Sequence, residues 1–357
     1  MGHTYNYNNF NYTEVPTKKG ELTCEITHNI PKPDSIYKFY SVSKFSVDAL
    51  LKGYLYASHP YELNDSLDSS VFLIGSKERI DYSYYKRFLG EVYKNEEDLL
   101  KFYEQDNVEG YYSHGYILAF WETISNIFGI ISMTGIDNNE LMWPHYTQEK
   151  GFQIKFNTEK LESSIKEKVD EDSCYGLFPI NYTKRLNPID FSDFPNPVIP
   201  FFYATNVKSN KWEYEQEWRF LISKHQMGIP RSKSGLSPEK DYEGIKGNRR
   251  AFYDRNLVEE ITLGHDFFTG REFNIDRTVS EIIIVEPIES KSNWNFQNHI
   301  ELLEYIHSNL SDRLYYSGRK YEFDSEGVPY LTRTKERMEI EKIDDKKYKL
   351  TRTNEFY

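Results

Sequence analysis

Apolar and polar positions alternate with period two in several short stretches of this chain, and each such stretch predicts a strand. Ser35-Ile36-Tyr37-Lys38-Phe39-Tyr40, Tyr54-Leu55-Tyr56-Ala57-Ser58 and Gly151-Phe152-Gln153-Ile154-Lys155-Phe156 read this way. Further strands are predicted at 117–120, 129–133, 178–182, 218–222, 260–263 and 281–285. Between the first two strands, Ser43 can cap a helix whose Val47, Leu50 and Leu51 form one stripe and whose stop is Gly53. Residues 76–106 mix charge with Tyr, Phe and Leu at helical spacing, which predicts one or two amphipathic helices. Ile300, Leu303, Ile306 and Leu310 predict a helix over 293–310, and alternation on both sides of Asp344-Asp345 predicts a hairpin.

The stretch from Trp212 to Leu221 stands out in this pattern. Read as one strand, it places Glu215, Glu217 and Arg219 on one face, while Trp218, Phe220 and Ile222 fill a core. Two carboxylates and a guanidinium side by side suit a cleft that stabilises developing positive charge. They suit equally a solvated strand face laced with ion pairs.

Punctuation sets the organisation. Residues 1–35 are polar, rich in Asn and Tyr, and end in Pro31-Lys32-Pro33-Asp34, so they predict a flexible N-terminal arm. An α+β domain over 36–290 follows, then a helix and β-hairpin extension over 291–357 packed on it. A long polar loop with Gly, Pro, Ser and Lys is expected over 224–250.

Composition narrows the function classes. Tyr (30) and Phe (23) carry much of a modest 38% apolar content, so large rings build the core. A net charge of −12 argues against sequence-independent nucleic-acid binding through a broad basic surface. Two cysteines make no disulfide framework, and residues 1–12 have no basic segment leading into an apolar run, so a cytoplasmic protein without a secretory leader is expected. The most apolar window, 116–133, is broken by Glu122, Thr123, Ser125 and Asn126 and reads as buried strands, with no membrane partner.

No phosphate-cradling glycine loop, H-E-x-x-H or C-x-x-C occurs, and no metal is expected. Asn64-Asp65-Ser66-Leu67-Asp68 offers oxygen ligands for a divalent cation or, more simply, an Asx-turn. Trp143-Pro144-His145-Tyr146 is either a stacking platform with a titratable imidazole or a packed aromatic corner. Lys38, between Tyr37 and Phe39, would ordinarily snorkel to solvent.

Several of these pieces together resemble the bacterial domain-of-unknown-function family 2971. They are Tyr37-Lys38-Phe39-Tyr40, Leu50-Leu51-Lys52-Gly53, the Tyr54 strand with Pro60 and Asn64-Asp65, Ile131-Ser132-Met133-Thr134, Leu141-Met142-Trp143-Pro144-His145-Tyr146, Gly151-Phe152-Gln153-Ile154 and Trp212-Glu213-Tyr214-Glu215-Gln216-Glu217-Trp218-Arg219, and the likeness runs over about 36–285. More distantly, the order resembles the ADP-ribosyltransferase superfamily, especially its DNA-modifying toxin branch. Tyr37-Lys38 stands where that superfamily has a Tyr-His strand, Glu217-Trp218 where it has the catalytic glutamate strand, and Ile261-Thr262-Leu263-Gly264 in its last strand. Glu215-Gln216-Glu217 is similar to its Glu-x-Glu motif and Ser132-Met133-Thr134 to its Ser-Thr-Ser strand; Lys38 and Met133 depart from the pattern.

The resemblance implies an ADP-ribosyltransferase-like split central sheet with flanking helices. It also implies an enzyme that takes NAD as substrate, cleaves its nicotinamide bond and passes ADP-ribose to a protein or nucleic-acid acceptor. Glu217 would face the oxocarbenium ribose and Glu215 would orient or deprotonate the acceptor. Lys38 would contact ribose or phosphates, and Trp143 or Tyr146 would stack on nicotinamide. Tyr37, Asn64, Asp65, Ser132, Thr134, His145 and Arg219 complete the implied NAD-binding set. A bacterial toxin or anti-phage effector, with a neutralising partner, is the implied setting. A nucleotide- or protein-binding module on the same scaffold, and a divalent-metal hydrolase or nuclease built on Asn64, Asp65, Asp68, Glu215 and Glu217, are the alternatives.

Overall fold

A computed structural model describes residues 2–17, 20–90, 93–106, 115–169, 174–230, 245–279 and 281–357. The chain is α+β and divides into two compact units, each assembled from three separated segments. One unit comprises Met1–Lys32, Tyr56–Ile131 and Val169–Ala251; the other comprises Pro33–Leu55, Ser132–Lys168 and Phe252–Tyr357. The expected division at 35 and 290 is therefore replaced by an interleaved one. Composition could not signal it, because one boundary, Ile131/Ser132, falls inside the strand Phe128–Thr134.

The first unit corrects two expectations. Residues expected as an arm form an antiparallel sheet of Thr4–Tyr7, Phe10–Pro16 and Leu22–His28. Alternation explains it: Phe10 and Tyr12 are buried, and Tyr5, Tyr7 and Tyr12 each meet the Tyr203 ring nearly edge-on, with centroids 5.6, 5.2 and 5.8 Å away. The Tyr12 hydroxyl donates to Asn206 Oδ1 at 2.6 Å. The expected strand at 117–120 is instead part of the helix Gly115–Ser125. Tyr116, Ile117, Phe120 and Trp121 bury one helical stripe, and the Asp106 carboxylate caps the start by accepting from the Gly115 and Tyr116 amides at 2.6 and 3.0 Å. A short apolar run does not distinguish the two periods.

Helices Tyr82–Leu89 and Glu96–Gln105 fulfil the expectation for 76–106. Val198–Asn206 is buried along nearly its whole length and leads into the short strand Val207–Ser209, which runs parallel to Asn181–Thr183. Glu217–Ser223 pairs antiparallel with Cys174–Pro179. These last elements carry the site described below.

In the second unit, hydrogen-bonded strands follow the order Phe273–Val279, Ile282–Pro287, Lys347–Phe356, Pro329–Asp344, Leu314–Phe323, Val258–Leu263, Phe152–Asn157, Ser35–Tyr40. Pairing is antiparallel except between Leu314–Phe323 and Val258–Leu263, so the sheet is mixed. The expected hairpin forms, with Asp344 opposite Lys347. It is an interior pair of this sheet, not an extension packed on a finished domain. Met338, Ile340, Tyr348 and Leu350 supply the buried row that fixes its register.

The helix Lys44–Lys52 is bounded as expected. Ser43 and Ser46 form a capping box, and Gly53 ends the helix at φ 70°, a left-handed conformation that a Cβ would penalise. Phe296–Asn309 buries Leu302, Leu303 and Ile306 within the same unit. Residues 231–244, the middle of the expected long loop, lie outside the described residues. Among the described residues no helix is long and apolar enough to cross a membrane.

Candidate functional site

In the first unit the chain approaches the site through His59. Its Nδ1 accepts from the Tyr61 amide at 2.9 Å and its own amide donates to the Glu62 carboxylate at 2.9 Å, closing the turn Pro60–Glu62. Burial, with the Arg249 cation adding to it, lowers the imidazole from 6.5 to about 2. Below pH 6.5 the unfolded chain thus binds a proton that the folded chain refuses, and stability rises with pH across that window. His59 should therefore subtract about 2 kcal/mol between pH 7 and pH 5. Urea unfolding of the protein and of His59→Asn, whose amide oxygen can keep the cap, should show that much less acid sensitivity in the variant.

After this turn, Asp65 Oδ1 accepts from the Leu67 amide at 2.9 Å, the Asx-turn reading of this loop, and its Oδ2 accepts from Trp212 Nε1 at 2.8 Å. Asn64 precedes it in the loop. The turn delivers Asp68 inward, where it is 4% exposed.

Glu215 does not lie on the strand with Glu217 and Arg219. Asn210–Glu215 forms a 3-10 turn, and Gln216, at φ 40° and ψ 54°, reverses the chain before the strand begins at Glu217. A left-handed conformation is uncommon for a residue with a side chain. It breaks the alternation assumed for 212–221, yet it brings both glutamates onto one lysine.

That lysine is Lys208. Its ammonium donates to Glu215 Oε2 at 2.7 Å and Glu217 Oε2 at 2.9 Å, lies 3.3 Å from Asp68 Oδ2, and stands 5.1 Å from the centre of the Trp212 ring. Arg219 completes the cluster. Its Nε donates to Glu217 Oε1 at 2.6 Å, one terminal nitrogen donates to Ser69 Oγ at 3.0 Å and the Thr205 carbonyl at 2.8 Å, and the other donates to Asp68 and to Glu217 Oε2 at 3.1 Å. All five guanidinium hydrogens are thus engaged. The Tyr182 hydroxyl accepts from the Glu217 amide at 2.9 Å.

Asp68, Lys208, Glu215, Glu217 and Arg219 are each at most 4% exposed. Taking such ions out of water costs several kcal/mol apiece, and only mutual pairing offsets it. Burial opposes the charge on Lys208, but Glu217 and Asp68 outweigh it and raise the ammonium pKa. In Arg219 burial is likewise outweighed, by Asp68 and Glu217, and its pKa is raised. Burial, then the Glu217 charge, raises the Tyr182 phenol. Asp68, Glu215 and Glu217 thus converge on Lys208 and Arg219 in a buried cluster.

Sequence reasoning identified Glu215, Glu217 and Arg219, and noted Asp68 only as a metal ligand. It missed Lys208. The available signal was a lone cation between Val207 and Ser209 after a nine-residue, mostly apolar helix. Among the described residues no group of three or more His, Cys, Asp or Glu is placed to hold a metal ion. Of the carboxylates in the hydrolase alternative, Asp68, Glu215 and Glu217 face Lys208 and Arg219, and Asp65 faces the Leu67 amide and Trp212 Nε1.

Tyr37, Lys38, Ser132, Thr134, Trp143, His145 and Tyr146 belong to the second unit. Tyr37 pairs with Thr134, and Lys38 Nζ donates to the Ser132 carbonyl at 2.6 Å, so this cation does not simply snorkel. Thr134 Oγ1 accepts from the Ile136 amide at 3.1 Å. Trp143 lies in a π-type turn with its ring buried against Phe39, 4.9 Å away at 82°, and its Nε1 donates to Asn138 Oδ1 at 2.8 Å. With no exposed surface, Trp143 takes the packed-corner alternative of the two that the sequence left open. Tyr146 packs half-buried on the same cluster, and His145 is exposed.

No curated protein and no solved structure matches the chain. Residues 142–220, which include Trp143, Lys208, Glu215, Glu217 and Arg219, match the family described as Protein of unknown function (DUF2971).

Proposed function

We propose that the chain is an ADP-ribosyltransferase-like enzyme that cleaves the nicotinamide glycosidic bond of NAD and transfers ADP-ribose to a macromolecular acceptor. The observation that supports this reading is the pair of buried glutamates, Glu215 and Glu217, that the Glu-x-Glu-Trp-Arg element brings onto one lysine. As the bond to nicotinamide breaks, its electron pair leaves with the ring and the ribose becomes an oxocarbenium ion. A fixed anion stabilises that cation more than the neutral ribose of the ground state, and low dielectric strengthens the effect. In this reading Glu217 faces the ribose, and Glu215 takes the proton released as the acceptor attacks C1′. An ADP-ribosyltransferase-like split sheet, and a toxin or anti-phage role with a neutralising partner, belong to the same proposal.

Mass spectrometry of the protein incubated with NAD and cell lysate tests it. Nicotinamide release is expected, falling at least tenfold in Glu217→Gln, since a charged hydrogen bond contributes about 1.5–3 kcal/mol. That variant should fold, because the amide keeps the side chain's volume and an oxygen that can accept from Lys208 or Arg219. No release from the folded wild-type protein would overturn the reading.

A second reading is favoured by the near-complete burial of all five ions: the cluster is an interior brace. Glu217→Gln would then alter the unfolding free energy and leave any NAD binding unchanged.

A further inference from the structure

Strands Leu314–Phe323 and Pro329–Asp344 pair over ten consecutive positions, from Leu314↔Met338 to Phe323↔Pro329. Their flanking strands stop earlier. Val258–Leu263 accompanies the first only through Tyr316, and Lys347–Phe356 accompanies the second only from Glu336 onward. Beyond these points the pair continues as a two-stranded ribbon: its base at Ser317, Thr334 and Lys335 is buried against Asn138 and Tyr357, and 319–323 with 329–332 project past it, an arrangement of marginal stability in water without a further partner.

This ribbon is also unusually apolar for an exposed element. Tyr321 is 72% exposed, Phe323 68% and Leu331 59%, with Val328 and Tyr330 also open. Tyr321, Phe323, Pro329 and Leu331 share one face, since Tyr321 is opposite Leu331 and Phe323 opposite Pro329. The other face of the first strand carries Lys320 and Glu322, whose charges are 2.9 Å apart.

We propose that this ribbon is a homodimerisation element, in which the outer edge of 318–323 pairs antiparallel with the same edge of a second copy about a two-fold axis through Tyr321. The charge order selects this occupant. Such an axis sets Lys320 opposite Glu322 of the second copy and Glu322 opposite its Lys320, turning one ion pair into an alternating quartet. On the other face it sets Tyr321 against Tyr321, and Arg319 against the Phe323 ring. The two apolar clusters then merge, and both exposed edges gain ladder hydrogen bonds. An isologous contact needs a self-complementary strand, and Lys320-Tyr321-Glu322 is one.

Sedimentation velocity of the full chain over about 1–100 µM, a range suited to a small interface, tests the pairing. The wild-type protein is expected to dimerise. K320E and E322K each place like charges opposite one another and should each weaken association at least tenfold. The double variant K320E/E322K restores complementarity and should dimerise within about threefold of wild type, as should an equimolar mixture of the two single variants, by forming the heterodimer. Both positions are exposed strand sites, so folding should be retained, which circular dichroism checks. A wild-type monomer throughout the range, or single variants that dimerise as well as wild type, would overturn the proposal.

Discussion

Arg219→Met is expected to destabilise the protein by about 3–5 kcal/mol, the loss typical of breaking a buried ion pair from one side. The substitution removes the cation that engages Glu217 through Nε and Asp68 through a terminal nitrogen, and it takes the guanidinium donors from Ser69 Oγ and the Thr205 carbonyl, leaving Ser69 its bond to Asp68 Oδ1. Asp68, Glu215 and Glu217 would keep Lys208 but lose the guanidinium that pairs two of them. At an effective dielectric of about 20, each lost contact at ~4 Å is worth about 4 kcal/mol before solvation is counted. Against a usual domain stability of about 5–15 kcal/mol, such a loss should appear as a large fall in the urea midpoint and in soluble yield. Arg219→Lys keeps the charge but not the planar fork, and should fall between the two. Adding Asp68→Asn to Arg219→Met removes a buried anion that has lost its guanidinium partner and should recover part of the loss. An unchanged midpoint in Arg219→Met would mean that the cluster carries none of the stability assigned to it.

Trp143→Ala should cost about 3–5 kcal/mol by the same measurement, for a different reason. The indole is wholly buried, packs edge-on to Phe39 and donates to Asn138. Asn138 is itself a junction: its Oδ1 also accepts from Ser317 Oγ at 2.7 Å and its Nδ2 donates to the Thr334 carbonyl at 3.0 Å. Removing the ring leaves a cavity and loosens the junction that ties the 137–143 loop to two strands of the sheet. Trp143→Phe keeps most of the volume but loses the Nε1 donor, and should cost about 1–2 kcal/mol. If Trp143 instead stacked on nicotinamide, these variants would raise the KM for NAD at unchanged stability. The expected pattern is the reverse.

Local chemistry was legible wherever neighbours in sequence are neighbours in space. Ser43 and Gly53 bound a helix because a capping hydroxyl and a left-handed residue act within a turn of one another. Asp65 closes an Asx-turn, and alternation about Asp344-Asp345 forms a hairpin, by equally short-range rules. The strand Phe152–Asn157 follows from its own pleat.

The candidate site was only half legible. Glu217 and Arg219 could be placed on one strand face from their spacing, but Glu215 reaches them through a 3-10 turn and a left-handed Gln216 that alternation does not announce. Lys208 joins them from the strand Val207–Ser209, which runs beside Asn181–Thr183, and Asp68 from a loop some 150 positions earlier. No pattern local to 208 or 68 encodes those meetings.

The sequence by itself determined the α+β class, the strands around 35–40, 152–157, 217–223 and 258–263, the helices at 44–52 and 296–309, the turn chemistry and the glutamate-rich element worth testing. Only the tertiary structure decided that 4–7, 10–16 and 22–28 form a sheet, that 115–125 is a helix, that Trp143 is interior and that the glutamates are paired. The physical reason is common to all four. Period and propensity describe how a segment would bury one side, whereas burial on both sides, and the partner for a buried charge, depend on segments that the chain brings back from far away.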